Sequence, residues 1–344
     1  MSAQNIFGLD IGSFSTKMVQ LTPGNNPSLV AAGSIPTPVK ALFSESDQDI
    51  EELADALKKL HQEVRISTPY VAAALPESQI FTRVVEMPPL TDAEVASAIK
   101  WEAEQYVPVP LSEVRLDWQI LSRPLTEDKN SKMEVLLVAA PIVLIDKYLK
   151  VFKLAEFKPV ALETETTAVV RSLVNEEQTP LTTMVVSIGA TTTDICISHE
   201  GNLTFTRSIA TGGTAFTRAI AQDLGFETDQ AEEYKKTYGL DANQLEGKVM
   251  QSIKPVFDVA VNEIRRALAY YSNKKPDDSV KRIILCGGTA KLPGLVVYLA
   301  NALGIEVQIG NPWEKINVPE KIKDKLNEEG SSYSVSVGLA MRNI

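Results

Sequence analysis

The residues best equipped for chemistry sit in short turns between apolar runs. The first such stretch reads IFGLDIGSFSTKMVQL, Ile6 to Leu21. An apolar run enters Asp10, turns through Gly12, Ser13, Phe14 and Ser15, and leaves through Lys17 into a second alternating run. That pattern predicts a β-hairpin. Asn-Gly or Asp-Gly would satisfy a plain hairpin, so a hydroxyl-rich turn between an acid and a base suggests a ligand with negative oxygens and a metal. Backbone N–H groups and short hydroxyls of a tight turn can surround anionic oxygens. Lys17 adds a point charge, and Asp10 can hold Mg²⁺ through water, because this ion keeps several of its waters. A second predicted hairpin, MVVSIGATTTDICIS, repeats the design with Gly189, Thr191, Thr192 and Asp194. Two hairpins of one design point to an internal duplication, although the full halves show no repeat.

Two glycine pairs follow. Gly212 and Gly213 precede an amphipathic helix in IATGGTAFTRAIAQDLG, while Gly287, Gly288 and Thr289 end the hydrophobic strand of RIILCGGTAKLPG. A strand-to-helix turn needing positive φ explains the second pair structurally; the functional alternative is that its glycines let a nucleotide lie flat against backbone. Glu232 and Lys235 are an i, i+3 pair, which on spacing alone is a solvated ion pair on a helix. The familiar strand-to-helix phosphate devices are absent: there is no GxxxxGK[ST], and no GxGxxG opens a helix after a strand.

These turns need strands and helices to hold them. Strands are predicted at Ile6 to Leu9, Lys17 to Leu21, Ser28 to Ile35 and from Tyr70, with a helix from Asp49 to Val64 placing Ile50, Leu53, Leu57, Leu60 and Val64 on one face. From Ile80 the texture changes. A strand and a Pro-Pro break lead to a helix opened by the capping box Thr91/Glu94, with Val95, Ile99 and Tyr106 inward. Strands at Asp117 to Leu121 and Glu134 to Ala140 flank the polar stretch RPLTEDKNSK, expected to be mobile, and a helix from Leu144 to Ala155 closes the unit. Later come a short helix in TDQAEEYKKTYG and a long one from Val249 to Asn273. A final helix follows LCGGT, with Pro293 expected in its first turn.

Composition narrows the partners. The 344 residues suffice for at least two cores at roughly 100 to 200 residues per domain. Net charge is −10, with no Lys/Arg stripe or interleaved aromatics, which argues against nucleic acid. The longest apolar run, Val135 to Ile145, is broken by Pro141 and falls short of the about 20 residues of a membrane span. A cytoplasmic protein without direct membrane insertion is expected; at a membrane, another protein would have to hold it. Cys196 and Cys286 lie in apolar runs and read as core. His61 and His199 are isolated, so neither a metal cluster nor a Ser/His/Asp array is indicated. Trp101, Trp118 and Trp313 are scattered, which suits core packing or partner contact better than base stacking.

Taken in order, the glycine turns resemble the actin-like ATPase superfamily. GLDIGSFSTK is similar to its first phosphate hairpin, VVSIGATTTDICI to its second and IILCGGTAKLPGL to its adenosine motif. Closer still, EMPPLTDAEVASAIKWEAEQYVPVPLSEVRLDWQIL resembles the inserted subdomain of the PilM family of type IV pilus assembly, as do VLLVAAPIVLIDKYLKVFKLAEFKPVALETE and ATGGTAFTRAIAQDLG. The resemblance covers essentially the whole chain. It implies an α/β fold of two lobes with ATP and Mg²⁺ in the cleft, and an FtsA/PilM-type insertion. Asp10, Gly12, Ser13, Ser15 and Lys17 would form the first phosphate loop and Gly189, Thr191, Thr192 and Asp194 the second. Gly212 and Gly213 would lie near sugar and phosphates, Glu232 and Lys235 would meet ribose and adenine, and Gly287, Gly288 and Thr289 would face the adenosine. The implied subdomains are 1–80 with 159–180 and 334–344 (1A), 81–158 (1C), 181–215 with 281–333 (2A) and 216–280 (2B).

The implied partner is a short cytoplasmic peptide of an inner-membrane, PilN-like protein, which would keep the chain peripheral to that membrane; self-association is left open. Two positions depart from the superfamily: Phe14 replaces a small residue and must point away from phosphates, and Ser187 replaces an aspartate that helps the metal and attacking water. The second departure predicts a nucleotide-loaded scaffold with slow or negligible hydrolysis, since a missing acid or base costs about 10² to 10⁴ in rate. A small-molecule kinase is the alternative on the same fold. So is an FtsA-like filament, which wants a C-terminal amphipathic helix that the residues up to Ile344 do not suggest.

Overall fold

A computed structural model of the chain describes residues 5–38, 44, 46–124, 131–174 and 181–342. Alternating apolar residues build the first sheet as a meander of β1 (Phe7–Ile11), β2 (Ser15–Leu21) and β3 (Leu29–Pro36); helix α1 (Asp47–Glu63) follows, then β4 (Tyr70–Leu75), parallel to β1. The chain then leaves through β5 (Phe81–Met87), α2 (Asp92–Tyr106), β6 (Val114–Ser122), β7 (Met133–Pro141) and α3 (Ile142–Leu154), and returns in β8 (Lys158–Thr164), parallel to β4. The excursion has its own antiparallel sheet, ordered β5-β7-β6.

Helix α4 (Glu165–Leu173) leads to the second large sheet. It contains β9 (Thr183–Ile188), β10 (Thr193–His199) and β11 (Asn202–Ile209), then, after α5 (Gly213–Leu224), α6 (Thr228–Tyr238) and α7 (Lys248–Lys274), β12 (Arg282–Cys286), α8 (Leu295–Leu303) and β13 (Glu306–Ile309). Helices α9 (Glu320–Glu329) and α10 (Ser334–Ala340) complete the described chain. The two large sheets have the same plan, β3-β2-β1-β4-β8 and β11-β10-β9-β12-β13, each an antiparallel meander extended by two parallel strands. The duplication read from the two hairpins is thus a duplication of whole sheets.

Helices α4 and α10 lie between the sheets. Val169, Val170 and Leu339 share one core with Ala72 and Ala74 of β4 and with Val185, Cys196, Ile284 and Cys286 of the second sheet; both cysteines are free and buried there. Their backbones touch: a Cβ at Gly338 would stand 1.9 Å from the Ala168 carbonyl oxygen. Arg171 of α4 ties this junction further, donating to Glu163 at 2.6 Å and to the Gly338 carbonyl at 2.7 Å.

Local signals are realised where they were strong. Ser46 caps α1, whose Ile50, Leu53, Leu57 and Leu60 are buried. The Thr91/Glu94 box opens α2, which buries Val95, Ile99 and Ala103, whereas Tyr106 is half-buried with the Arg83 guanidinium 4.2 Å from its ring centre. Pro293 is not in the first turn of α8: that helix starts at Leu295, capped by Gly294 in the left-handed region. The core of the polar stretch expected to be mobile, 125–130, lies outside the described residues. Helix α3, grouped by sequence with the insertion, packs Leu144, Tyr148, Val151 and Phe152 into the core of the first sheet. Among the described residues no helix is long and apolar enough to cross a membrane.

Candidate functional site

The two hairpin turns face each other. In the first, Asp10 pairs with Lys17 across β1 and β2, and the Lys17 Nζ lies 3.9 Å from Asp10 Oδ2 and donates to Ser15 Oγ at 2.9 Å. Thr37 Oγ1 donates to the Gly12 carbonyl at 2.7 Å and holds the turn from behind. In the second, Gly189 N–H donates to the Thr192 carbonyl at 2.9 Å, and Thr192 Oγ1 to Asp194 Oδ2 at 3.1 Å. The tips meet where Thr191 Oγ1 donates to Ser13 Oγ at 3.1 Å. Phe14, 65% exposed, turns its ring to the outside.

Around the second turn the glycine pairs converge. Gly213 N–H donates to the Gly189 carbonyl at 2.9 Å, and Thr289 Oγ1 donates to the same oxygen at 3.2 Å. A Cβ at Gly213 would stand 2.6 Å from Thr289 Oγ1, so only glycine allows this approach. Gly287 is needed for two reasons: its φ is +86°, and a Cβ there would meet the Ile188 carbonyl at 2.5 Å. Gly212 is packed against the backbone of Gly189 and Ala190, whereas Gly288 has open space beside it.

Glu232 and Lys235 are not a solvated pair. Lys235 is buried, and its Nζ donates to the Gly213 carbonyl at 3.1 Å, Thr217 Oγ1 at 2.9 Å and Glu232 Oε2 at 2.6 Å. Burial works to lower its pKa, opposed by Glu232. Ser13, Thr191, Gly189, Gly213, Thr289 and Lys235, all singled out by sequence, are therefore linked across the two facing turns, with Lys17 bonded to Ser15 beside them.

Sequence reading missed the floor. Four carboxyls converge there, of which Asp10 pairs with Lys17: Asp10, Asp194, Glu77 in the turn after β4, and Glu165 at the start of α4. Glu77 N–H donates to Glu165 Oε2 at 3.3 Å, and Thr166 Oγ1 donates to Glu77 Oε2 at 3.0 Å. Burial pushes the Asp10 carboxyl above its usual range against the pull of Lys17. Burial also pushes Asp194 up to about 6, opposed by the hydroxyls of Ser208 and Thr192. Burial and the Asp194 charge push Glu77 up to about 7. Burial, then the charges of Asp194 and Asp10, hold Glu165 well above the ordinary carboxylate range although it keeps some exposure. Such a floor is short of positive charge, and Asp194 Oδ1 is buried with no hydrogen-bond partner. The signal for Glu165 was available, an acid in the first turn of a Thr-capped helix. Glu77 carried none.

Two lobes of one plan, with facing glycine-hydroxyl hairpins between them, define an actin-like ATPase fold. Solved structures agree: EutJ from Carboxydothermus hydrogenoformans superposes with TM-score 0.56 at 17% identity, covering 99% of this chain and 90% of that one. MreB5 of Spiroplasma citri bound to AMPPNP superposes at 0.55 and 15% identity, covering 98% and 95%. Within that fold the chain belongs to the PilM family: the family model for type IV pilus assembly protein PilM matches residues 8–344. A solved PilM–PilN type IV pilus biogenesis complex has TM-score 0.87 and 31% identity to it, covering 99% of this chain and 98% of that one. The cell division protein FtsA of Pseudomonas aeruginosa is 30% identical over 190 residues, 49% of this chain and 44% of FtsA. The match therefore spans about half the length of these curated relatives.

Proposed function

We propose that this protein is an ATP-binding scaffold of the type IV pilus assembly platform that takes up the short cytoplasmic tail of a PilN-like inner-membrane protein. The observation that carries the nucleotide reading is the meeting of the two turns through Ser13 and Thr191, with Gly213 and Thr289 both bonded to the Gly189 carbonyl. In this reading the hydroxyls of Ser13, Ser15 and Thr191 and the ammonium of Lys17 would turn to phosphate oxygens. Among the described residues no three Asp, Glu, His or Cys side chains are placed to ligate a metal by themselves. Mg²⁺ nonetheless fits the hard-oxygen floor: Asp10 would hold it through water, and the unpartnered Asp194 Oδ1 faces the same need for positive charge. Bound there, the ion would neutralise phosphate charge that the floor repels. Turnover is proposed to be slow, because position 187, opposite Asp194 in the sheet, carries a serine hydroxyl.

The partner reading is supported by family membership and by the similarity to the PilM–PilN complex. It places the chain on the cytoplasmic side of the inner membrane, peripheral to it through the partner. The lobes are proposed to be 1A and 2A with subdomains 1C and 2B within the bounds given above, save that α3 packs with lobe 1A. Calorimetry with ATP, with and without Mg²⁺, on the wild type and Asp10→Ala tests the cleft. Mg²⁺-dependent binding that is lost in the variant is expected; wild-type protein that binds no nucleotide refutes the reading and leaves a purely structural adaptor.

A further inference from the structure

The inserted sheet belongs covalently to lobe 1, leaving it after β4 and rejoining it at β8, yet acids on two of its strands pair with lobe 2. Glu86 on β5 and Glu134 on β7 stand directly opposite each other in register. Like charges so placed repel. What separates them from mutual repulsion is the C-terminal end of α7: Lys274 Nζ lies 3.1 Å from Glu86 and 3.0 Å from Glu134, and Lys275 lies 3.6 Å from Glu134. Lys132, from the insertion itself, completes the set 2.9 Å from Glu86. The Glu134 and Lys274 side chains are only 11% and 17% exposed. Burial works against the charge on Lys274, but its bonds to Glu134 and Glu86 outweigh that and hold its pKa above the ordinary value.

The same end of α7 is bolted to the second sheet. Tyr271 OH donates to Asp278 Oδ2 at 2.6 Å, Thr182 Oγ1 donates to the same oxygen at 2.5 Å, and His199 lies 3.1 Å from it. Further along, Arg207 of β11 lies 2.7 Å from Glu263 of α7. At its other end α7 packs Ile253 and Phe257 in one core with Phe216 and Ile220 of α5 and Ala231 of α6, the helices that carry Gly213, Glu232 and Lys235. Helix α7, with Pro255 in its N-terminal half, therefore runs unbroken from the helices that carry Gly213, Glu232 and Lys235 to the insertion.

We infer that the Lys274 contact with Glu86 and Glu134 is a latch that makes the inserted subdomain move with lobe 2 although the chain attaches it to lobe 1. The insertion then works as a strap across the two lobes, and its position reports their separation. The nucleotide arm of the test rests on the ATP reading above; the ligand-free arm does not.

Spin labels at Ala96 on α2 and Val297 on α8, with a second pair at Ala96 and Val30 on β3, report the position of the insertion against lobe 2 and lobe 1; all three sites are exposed. Without ligand, a single narrow Ala96–Val297 distance is expected in the wild type. It should broaden in Lys274→Glu and Lys274→Met and become narrow again when Lys274→Glu is combined with Glu134→Lys. Restoration by the swap excludes simple misfolding. Adding Mg-ATP should shift the Ala96–Val30 distance in the wild type while Ala96–Val297 stays fixed, and in Lys274→Glu the order should reverse with ATP affinity within twofold. An Ala96–Val297 distribution as narrow in Lys274→Glu as in the wild type overturns the latch. Wild-type protein that binds no Mg-ATP overturns the nucleotide reading alone, and the ligand-free comparison still decides the latch.

Discussion

Replacing Glu77 by glutamine should make the protein more stable in mildly alkaline solution while leaving it nearly unchanged in acid. In the folded chain burial and the Asp194 charge raise the Glu77 carboxyl from 4.5 to about 7, with the Thr166 hydroxyl pulling the other way. Below pH 4.5 the group is protonated whether folded or unfolded, and the native state keeps all its stability. Between 4.5 and 7 the unfolded chain releases the proton and the folded chain does not, so stability falls as pH rises; beyond 7 the loss is complete. At 1.36 kcal/mol per pH unit the full loss is about 3 kcal/mol. Glutamine stays neutral throughout and keeps an oxygen for Thr166 Oγ1. Its new N–H₂ group needs a partner, for which the unpartnered Thr82 Oγ1 is on hand; failure to pair it would cost about 1–3 kcal/mol. A net gain of about 1–3 kcal/mol at pH 8 is expected, falling below about 1 kcal/mol at pH 5. Urea unfolding of both proteins at pH 5, 6.5 and 8 measures it. The neighbouring carboxyls Glu165 and Asp194 titrate in both proteins, so the difference isolates Glu77 and its coupling to them. A wild-type-minus-variant difference that is the same at all three pH values refutes the reasoning.

The other expectations concern the cleft directly. Gly287→Ala places a Cβ 2.5 Å from the Ile188 carbonyl at a φ of +86°; a loss of at least about 1–3 kcal/mol in unfolding experiments should accompany weaker ATP binding, because the turn that carries Thr289 must shift. Ser187→Asp restores a carboxylate beside Asp194 and should raise ATP hydrolysis by up to about 10² to 10⁴, read by phosphate release. Rapid hydrolysis by the wild type would show instead that Glu165 or Asp194 already supplies the missing acid.

Most of the fold was legible because its signals are periodic. Alternation gave both hairpins, spacing of three and four gave the buried face of α1 from Ile50 to Leu60, and Thr91 with Glu94 marked the start of α2. The touching turns were legible as separate motifs. What was not legible depends on tertiary juxtaposition. Lys235 on a charged helix pattern looks solvated until α6 is laid against Gly213, whose lack of a side chain lets the ammonium reach the carbonyl. Glu77 reads as an ordinary turn acid, and becomes a buried one only once α4 and β10 are brought against it. Glu86 and Glu134 alternate as polar strand residues should; nothing in their own strands predicts that Lys274, some 140 residues away from Glu134, will separate them.

The duplicated sheets also say what the insertion is. Parallel neighbours in a sheet require a crossover between them, and in lobe 2 the crossover from β12 to β13 is α8 alone, with Leu295 and Leu299 packed in the core. In lobe 1 the corresponding step runs from β4 to β8, and α3 performs the same service, burying Leu144, Tyr148, Val151 and Phe152 against the first sheet. Removing α3 from the insertion leaves β5, α2, β6 and β7 as the part with no counterpart in lobe 2. That remainder has a core of its own, Val85, Val95, Ile99, Val135 and Leu137 among it, while Leu136 on the other face of its sheet is buried in the core shared by the two lobes. The α2 side is the one left open, with Trp101 73% exposed, and the acids on the opposite sheet are turned to α7. A unit hung on two connections, with its sheet face packed on the shared core and latched to α7 and its helix face open, is the arrangement expected of an element that carries the state of the cleft to a partner.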